Sequence, residues 1–224
     1  MTSSGGYRAL AAFVAFIALG AVGVSPATSA PPPPSEITVF NTPPDTLHGY
    51  SLSVYGTGQA DSVEVSLKNV RYTISSPDGV AISDSSAGCE SESPTEVNCV
   101  LFSGHRVVVA TNLGNDHVDL HGPVRSESRG EVGADWIDGS PAHNALSGDS
   151  GDDRLAGRGG DDVLRGGVGR DALFGNAGND RLLAADGERD RLIACGPGED
   201  KVIVDWGKTD PDPIGCERVI HRRA

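Results

Sequence analysis

The stretch that decides the fold runs from Gly130 to Leu183 and reads GEVGADWID GSPAHNALS GDSGDDRLA GRGGDDVLR GGVGRDALF GNAGNDRLL. It divides without a gap into six units of nine residues. The first position is always glycine, the fourth is glycine in every unit but one, the sixth is Asp or Asn, and the eighth is Leu or Ile. Four aligned columns indicate a repeat architecture, in which each unit becomes stable only by stacking on its neighbours.

Each unit has two parts with different conformational preferences. The first six positions are rich in glycine and short polar residues, which suit a tight turn with positive φ. The last three positions fit a short strand, so position eight points to one side of the sheet and positions seven and nine to the other. We therefore predict an all-β fold, in which two units form one coil of a flattened parallel β-solenoid.

The sixth positions should form two columns on opposite edges of the solenoid, because residues eighteen apart stack. The first column contains Asp135, Asp153 and Asp171, and the second contains Asn144, Asp162 and Asp180. Carboxylates stacked at the ~4.7 Å spacing of a sheet repel one another unless a cation lies between them. Carboxylate and carbonyl oxygens are the ligands that Ca²⁺ prefers, whereas transition metals favour His or Cys. Calcium is therefore the predicted cofactor.

Two more units follow the regular ones. Ala184–Ile193 has ten residues and places Asp190 before Leu192, with Ile193 at the ninth position. Cys195–Ile203 keeps glycine at position four, Asp200 at position six and an apolar residue at position eight. The repeat region is therefore predicted to span residues 130–203.

The units resemble the RTX, or haemolysin-type, calcium-binding repeat, G-G-x-G-x-D-x-(aliphatic)-x, most closely from Gly148 to Leu183. The resemblance implies a right-handed parallel β-roll, a form of β-solenoid, with calcium between successive turns. It implies that the metal ligands are side chains at position six, supplemented by backbone carbonyls from the turns. The implied side chains are Asp135, Asn144, Asp153, Asp162, Asp171, Asp180 and Asp200. The implied turn glycines are Gly148, Gly157, Gly166 and Gly175.

The composition restricts the possible partners. The 224 residues include 31 acidic and 18 basic side chains, giving a net charge of −13, together with 30 glycines. Nucleic-acid binding is not expected, because phosphate contacts need an excess of Lys and Arg. The excess acid instead fits a chain that binds divalent cations.

The N-terminus has the pattern of a secretory signal. Residues 1–30 combine a start with one positive side chain, an apolar stretch from Ala9 to Val24 and a small-residue exit. A retained membrane anchor is the alternative, but sixteen apolar residues are short for a span. We expect a secreted, extracellular protein with a Pro-rich spacer at 31–34 and no membrane span after cleavage.

The remaining segments are less regular. Residues 35–129 alternate apolar and polar positions in short runs, which predicts an irregular β-rich region, either solenoid turns or a small β-sandwich. Asp61 and Asp116 each lie two residues before a valine, which echoes the repeat. Residues 204–224 do not follow the nine-residue pattern and are predicted to cap the last coil.

Four cysteines are consistent with export. They allow three disulfide pairings. The pairing of nearest neighbours, Cys89–Cys99 and Cys195–Cys216, is favoured over zinc binding, because neither pair has C-x-x-C spacing or a nearby His.

No catalytic motif emerges from the chain. His117 and His121 lie four apart on a predicted strand, about 13 Å from each other, too far to share one zinc ion. We therefore expect a non-catalytic calcium-binding protein with a structural or adhesive role, whose cell-surface or extracellular partner the sequence does not identify. The alternative is a secreted hydrolase in which the β-roll is an accessory module.

Overall fold

A computed structural model describes residues 37–45, 49–68, 71–77, 80–82, 89–100, 106–207 and 210–223. The predicted signal peptide and Pro-rich spacer lie outside these residues. The described part of the chain consists of strands and turns without a helix, and so contains no helix that could span a membrane. The all-β prediction is confirmed.

The strands form two sheets, which we call sheet A and sheet B. Sheet A has ten strands: β1 (Ile37–Asp45), β2 (Gly49–Tyr55), β5 (Val80–Ile82), β8 (Arg106–Ala110), β10 (Ser126–Val132), β12 (Asn144–Ser150), β14 (Val163–Val168), β16 (Arg181–Leu183), β18 (Lys201–Asp205) and β19 (Arg218–Arg222). Sheet B has nine strands: β3 (Ser62–Lys68), β4 (Arg71–Ser75), β6 (Cys89–Ser93), β7 (Glu96–Val100), β9 (His117–His121), β11 (Trp136–Asp138), β13 (Arg154–Ala156), β15 (Ala172–Phe174) and β17 (Leu192–Ala194).

The repeat region is a parallel β-solenoid. The chain alternates between the two sheets, and each strand pairs in parallel with the strand one coil away. In sheet A Leu146 is aligned with Leu164, and in sheet B Leu155 is aligned with Leu173, eighteen residues apart in both cases. The predicted coil of two nonapeptides is confirmed.

The core lies between the sheets and consists of the eighth-position side chains. In the regular units these are Ile137, Leu146, Leu155, Leu164, Leu173 and Leu182, all at most 2% exposed. Positions seven and nine face outward; Val163, for example, is 42% exposed. Each coil thus adds one aliphatic side chain from each sheet to a thin core.

The ten-residue unit departs from the spacing prediction. Ile193, expected at the outward ninth position, is fully buried and aligned with Leu173, while Leu192 faces outward. The backbone carbonyl of Asp171 accepts hydrogen bonds from the amides of both Arg191 and Leu192. This local bulge absorbs the extra residue between the acid and the strand.

Both sheets continue into the N-terminal half, which is β-rich as predicted. Strands β2 and β3 pair in parallel with β8 and β9 and so form a further coil. Beyond this coil β1 pairs antiparallel with β2 in sheet A, and β4, β7 and β6 follow one another antiparallel in sheet B; the outermost pair of sheet A, β1 with β5, is parallel. The side chains of Val54, Val65 and Val118 extend the buried core into this region.

The C-terminal segment and the two disulfides lie at the ends of the solenoid. Strand β19 pairs with β18 at the edge of sheet A, and Ile214 forms a bridge with Ala194 in sheet B. The disulfides Cys89–Cys99 and Cys195–Cys216 both form, which confirms the favoured pairing. The second ties the C-terminal segment to the last repeat.

Replacing Leu164 with Ala should destabilise the calcium-saturated protein by about 2–5 kcal/mol, because it removes buried methyl groups and leaves a cavity in a thin core. The neighbouring Val163→Ala is the control, since Val163 is 42% exposed and should have a much smaller effect. Urea denaturation at saturating calcium measures both. Equal losses for the two variants would contradict the described core.

Candidate metal centre

The turns between the sheets share an unusual backbone conformation. Six of them have positive φ at both the second and the fourth position: residues 111–116, 130–135, 148–153, 157–162, 166–171 and 175–180. At the second position the φ values of the non-glycine residues lie between 68° and 73°, as for Glu131 and Asp149. At the fourth position the residue is always glycine, because few L-residues adopt these angles.

Glycine is also required by close approach between coils. A Cβ atom on Gly151 would lie 1.8 Å from the carbonyl oxygen of Gly133 one coil away. At the first position, a Cβ on Gly148 would lie 2.0 Å from Oδ2 of Asp153 in the same turn. The glycine columns therefore let the coils stack and make room for the acid at position six.

The sixth-position acids form hydrogen-bonded ladders along the two edges. In each ladder the backbone N–H of one member donates to a side-chain oxygen of the next member, one coil further on, at 2.7–3.2 Å. The first column runs through Asp61, Asp116, Asp135, Asp153, Asp171, Asp190 and Asp210. The second runs through Asn144, Asp162, Asp180, Asp200 and Glu217. The predicted stacking of Asp135, Asp153 and Asp171 in one column and of Asn144, Asp162 and Asp180 in the other is thus observed.

The second carboxylate oxygen is buried and has no hydrogen-bond partner in most of these acids. This holds for Oδ2 of Asp116, Asp135, Asp153, Asp162, Asp180, Asp190 and Asp200. The side chains themselves are at most 4% exposed. A buried anionic oxygen without a partner is strongly unfavourable, and a bound cation would satisfy it.

The pKa values of the acids also indicate that protein groups do not compensate their negative charge. Burial raises the pKa of Asp153 and Asp162 to about 7 and that of Asp190 to about 8, and neighbouring carboxylates add to the shift. The hydrogen bond from the adjacent backbone lowers each value only in part. The charged form of these acids therefore lacks a compensating positive charge among the protein groups.

Side chains alone do not complete a metal site. Within the described ranges, no group of three or more His, Cys, Asp or Glu side chains is placed to hold one ion. Ligands for a cation between two turns must therefore include backbone carbonyls, which glycine-rich turns supply. The residues fit calcium in this respect, because Ca²⁺ accepts carboxylate and carbonyl oxygens together in a flexible geometry.

The turn 139–144 differs from the six turns that share the double positive φ. None of its residues has a positive φ, and Ala142 occupies the fourth position. The Asn144 Nδ2 atom donates to the carbonyl oxygens of Ser140 and Ala142 and to Oδ1 of Asp162. Its Oδ1 atom accepts a hydrogen bond from Ser126 Oγ at 2.8 Å. Asn144 thus lies in its column, but both ends of its amide have hydrogen-bond partners.

Some members of the columns were not identified as site residues from the sequence. Asp190 accepts the Asp171 amide although it lies 19 rather than 18 residues further on, so the turn before it absorbs one extra residue and the bulge after it absorbs a second. Asp210 and Glu217 end the columns from outside the repeats, and no periodic signal marks them. Asp116 follows a turn with glycine at the fourth position, but Thr111 replaces the glycine at the first. The two histidines are not arranged as a zinc site: His117 stacks on Trp136, and His121 lies 3.2 Å from Asp119.

A parallel β-solenoid with glycine-rich turns and buried columns of aspartate defines a class of repeat proteins that bind hard cations. Comparison with protein families assigns the particular repeat: residues 129–164 and 147–182 match the RTX calcium-binding nonapeptide repeat. This part of the chain therefore carries RTX calcium-binding repeats, and their cofactor is Ca²⁺. Searches of curated proteins and of solved structures found no match to the chain.

Replacing Gly151 with Ala should raise the calcium concentration needed for folding, because the new Cβ meets Gly133 O and the residue must keep a φ of 131°. Gly207→Ala is the control: Gly207 also has positive φ, but a Cβ there meets nothing within 4 Å. The control should lose only the ~1–2 kcal/mol of the left-handed conformation. Circular dichroism during calcium titration compares the two. Equal midpoints would show that close coil stacking does not limit folding.

Proposed function

We propose that the protein is a secreted calcium-binding protein whose solenoid folds when Ca²⁺ binds between successive turns, with a structural or adhesive, non-catalytic role. The proposed side-chain ligands are Asp135, Asp153, Asp162, Asp171, Asp180 and Asp200. Backbone carbonyls from turns that begin at Gly148, Gly157, Gly166 and Gly175 would complete the coordination.

The observation that carries this proposal is the buried, unpaired Oδ2 atom that recurs along both columns. Each such oxygen belongs to a carboxylate whose other oxygen already accepts an N–H from the adjacent coil. The carboxylate is thus held in place by the neighbouring turn and retains one free oxygen for a cation. A divalent ion at this position would also offset the repulsion between successive acids.

Coupling between calcium and folding follows from the same geometry. The hydrogen bonds that hold adjacent coils together include the carboxylates, so stacking the coils brings the acids into the protein interior. Without a cation, this desolvation opposes folding, and the glycine-rich turns add a large conformational entropy cost. With calcium, the free energy of binding contributes to folding, as in small metal-dependent domains.

The proposed extracellular location rests on the signal-like sequence of residues 1–30 and on the two disulfides. Extracellular calcium would be sufficient for sites with dissociation constants of ~10⁻⁴–10⁻³ M. The non-catalytic role is supported by the use of the prominent acids in the ladders. The polar contacts of the described histidines are likewise with strand residues or, for His143, with the turn backbone at Asp161, rather than with a nucleophile.

Far-UV circular dichroism of the chelated protein should change sharply toward a β-sheet spectrum on calcium titration. The double variant Asp162→Asn/Asp171→Asn removes one carboxylate from each column and should shift the midpoint to higher calcium by at least about tenfold, because each proposed site loses a charged ligand. Its thermal midpoint at a fixed calcium concentration should fall as well.

The matched control is Asp161→Asn/Asp212→Asn, which removes the same charge from exposed residues. Its calcium midpoint should stay close to that of the natural chain. If neither the spectrum nor the thermal stability of the natural chain changed with calcium, the proposed coupling of folding to calcium binding would be wrong. If both double variants shifted equally, net charge rather than ligation would explain the effect.

Asn144 has a different proposed role from the acids of its column. Because its amide nitrogen satisfies the carbonyls of Ser140 and Ala142, the turn 139–144 closes through protein hydrogen bonds. An amide carries no charge that needs compensation. We therefore propose that this turn forms without a cation of its own.

Replacing Asn144 with Asp should raise the calcium midpoint without adding a bound ion. The substitution removes the Nδ2 donor and places a carboxylate oxygen against two carbonyl oxygens, a penalty of about 1–3 kcal/mol. Gln59→Glu, at an exposed position, is the control for added charge. Calcium titration followed by circular dichroism, with ion counting by equilibrium dialysis, measures both effects. An additional bound ion in Asn144→Asp would assign calcium binding to this turn.

A further inference from the structure

Residues 111–116 form a turn that lies outside the segment matched to the RTX repeat. The match begins at residue 129, whereas this turn precedes strand β9. Its φ values are 72° at Asn112 and 135° at Gly114, close to the 72° and 147° of Glu131 and Gly133 in the next turn of the first column. The backbone therefore has the repeat conformation even though the sequence does not match the repeat.

The turn stacks directly on residues 130–135. Leu113 and Val132 form a parallel bridge, and the Gly114 amide donates to the carbonyl of Val132 at 2.9 Å. The Asp116 amide donates to Oδ1 of Asp135 at 2.8 Å. The two turns thus have the relation seen between successive turns of the regular repeats.

Two buried carboxylates of these turns each retain an unpaired oxygen. Asp116 is 3% exposed and Asp135 is 2% exposed, and Oδ2 of each lacks a hydrogen bond of normal geometry, although the Thr111 hydroxyl lies close enough to Asp116 to lower the pKa of its carboxyl group. The Oδ1 atom of Asp116 accepts the backbone N–H of Asp61 at 2.7 Å. This hydrogen bond fixes the carboxylate from the other side, as the ladder does at the regular turns.

Thr111 occupies the position that glycine takes in the regular units. Its hydroxyl group lies 3.2 Å from the carbonyl oxygen of Gly130 and 3.3 Å from that of Arg129. Residue 111 is fully buried, so its hydroxyl faces the space between the turns rather than solvent. Threonine in place of the usual glycine therefore adds a neutral, hard oxygen to the space that the carboxylates of Asp116 and Asp135 share.

We propose that a calcium ion binds between residues 111–116 and 130–135, with Asp116, Asp135 and Thr111 as side-chain ligands. This inference rests on the proposed function, because it assumes that calcium binds between successive turns. It adds a site in the N-terminal half of the chain and extends cation binding beyond the recognised repeats. The carbonyl of Gly130 is the nearest backbone ligand.

The test counts calcium ions on the full chain by equilibrium dialysis at saturating calcium. Asp116→Asn keeps the size of the side chain and an oxygen that can accept the Asp61 amide, but removes the charge. This variant should bind one ion fewer than the natural chain. Asp212→Asn, an exposed acid outside both columns, should bind the same number as the natural chain.

A second variant tests the same site independently in case Asp116→Asn fails to fold. Thr111→Val preserves the shape of the side chain but removes the hydroxyl oxygen, and should weaken one ion on the order of tenfold while the others stay bound. Circular dichroism at saturating calcium checks that each variant keeps its β structure. A folded Asp116→Asn with an unchanged ion count, or an unchanged titration of Thr111→Val, would overturn the additional site. A natural chain that binds no calcium would instead overturn the proposed function.

Discussion

The structure depends on how one buried carboxylate is shared between two coils. One oxygen of each acid in the regular units accepts a backbone N–H from the adjacent coil, and in most of them the other oxygen is buried without a hydrogen-bond partner. The first contact holds neighbouring turns in register. The second leaves a charge that protein groups do not compensate. Stacking and the proposed cation binding therefore use the same side chain, so neither can be changed alone. This sharing is the physical basis of the proposed coupling between calcium binding and the folding of a chain with a thin core.

Much of this arrangement could be predicted from the nine-residue period. The period places Leu155 over Leu173 and Asp153 over Asp171, because a fixed repeat length with a two-sheet coil leaves little choice of register. The role of the amide–carboxylate hydrogen bond could not be predicted. A sequence pattern identifies an acid as a charge, but does not show that one of its oxygens is already used by the backbone of another coil. The bulge after Asp190 could not be predicted for a related reason, since the sequence does not show whether extra residues are absorbed before the acid, after it or, as in this coil, on both sides.

Two turns show where resemblance to a motif and local geometry diverge. Residues 139–144 lie within the matched repeats, yet Ala142 and Asn144 give them a turn closed by amide hydrogen bonds. Residues 111–116 lie outside the match, yet Asn112 and Gly114 adopt the φ values of the regular turns. Backbone conformation at the second and fourth positions therefore distinguishes the turns better than sequence identity at the first. The signal at Asp116 was present in the sequence, but a single threonine and an uneven spacing obscured it.

The antiparallel strands of the N-terminal half have a consequence for the order of assembly. In a solenoid each coil contacts only its neighbours, so ordering can spread from an edge that already exists. The strands β4, β7 and β6 carry buried Tyr72, Ile74 and Val97, and the Cys89–Cys99 disulfide joins β6 to β7. They hold strand β3 at the point where the parallel coils begin. This block therefore offers an edge on which the ordering of the acidic coils can begin.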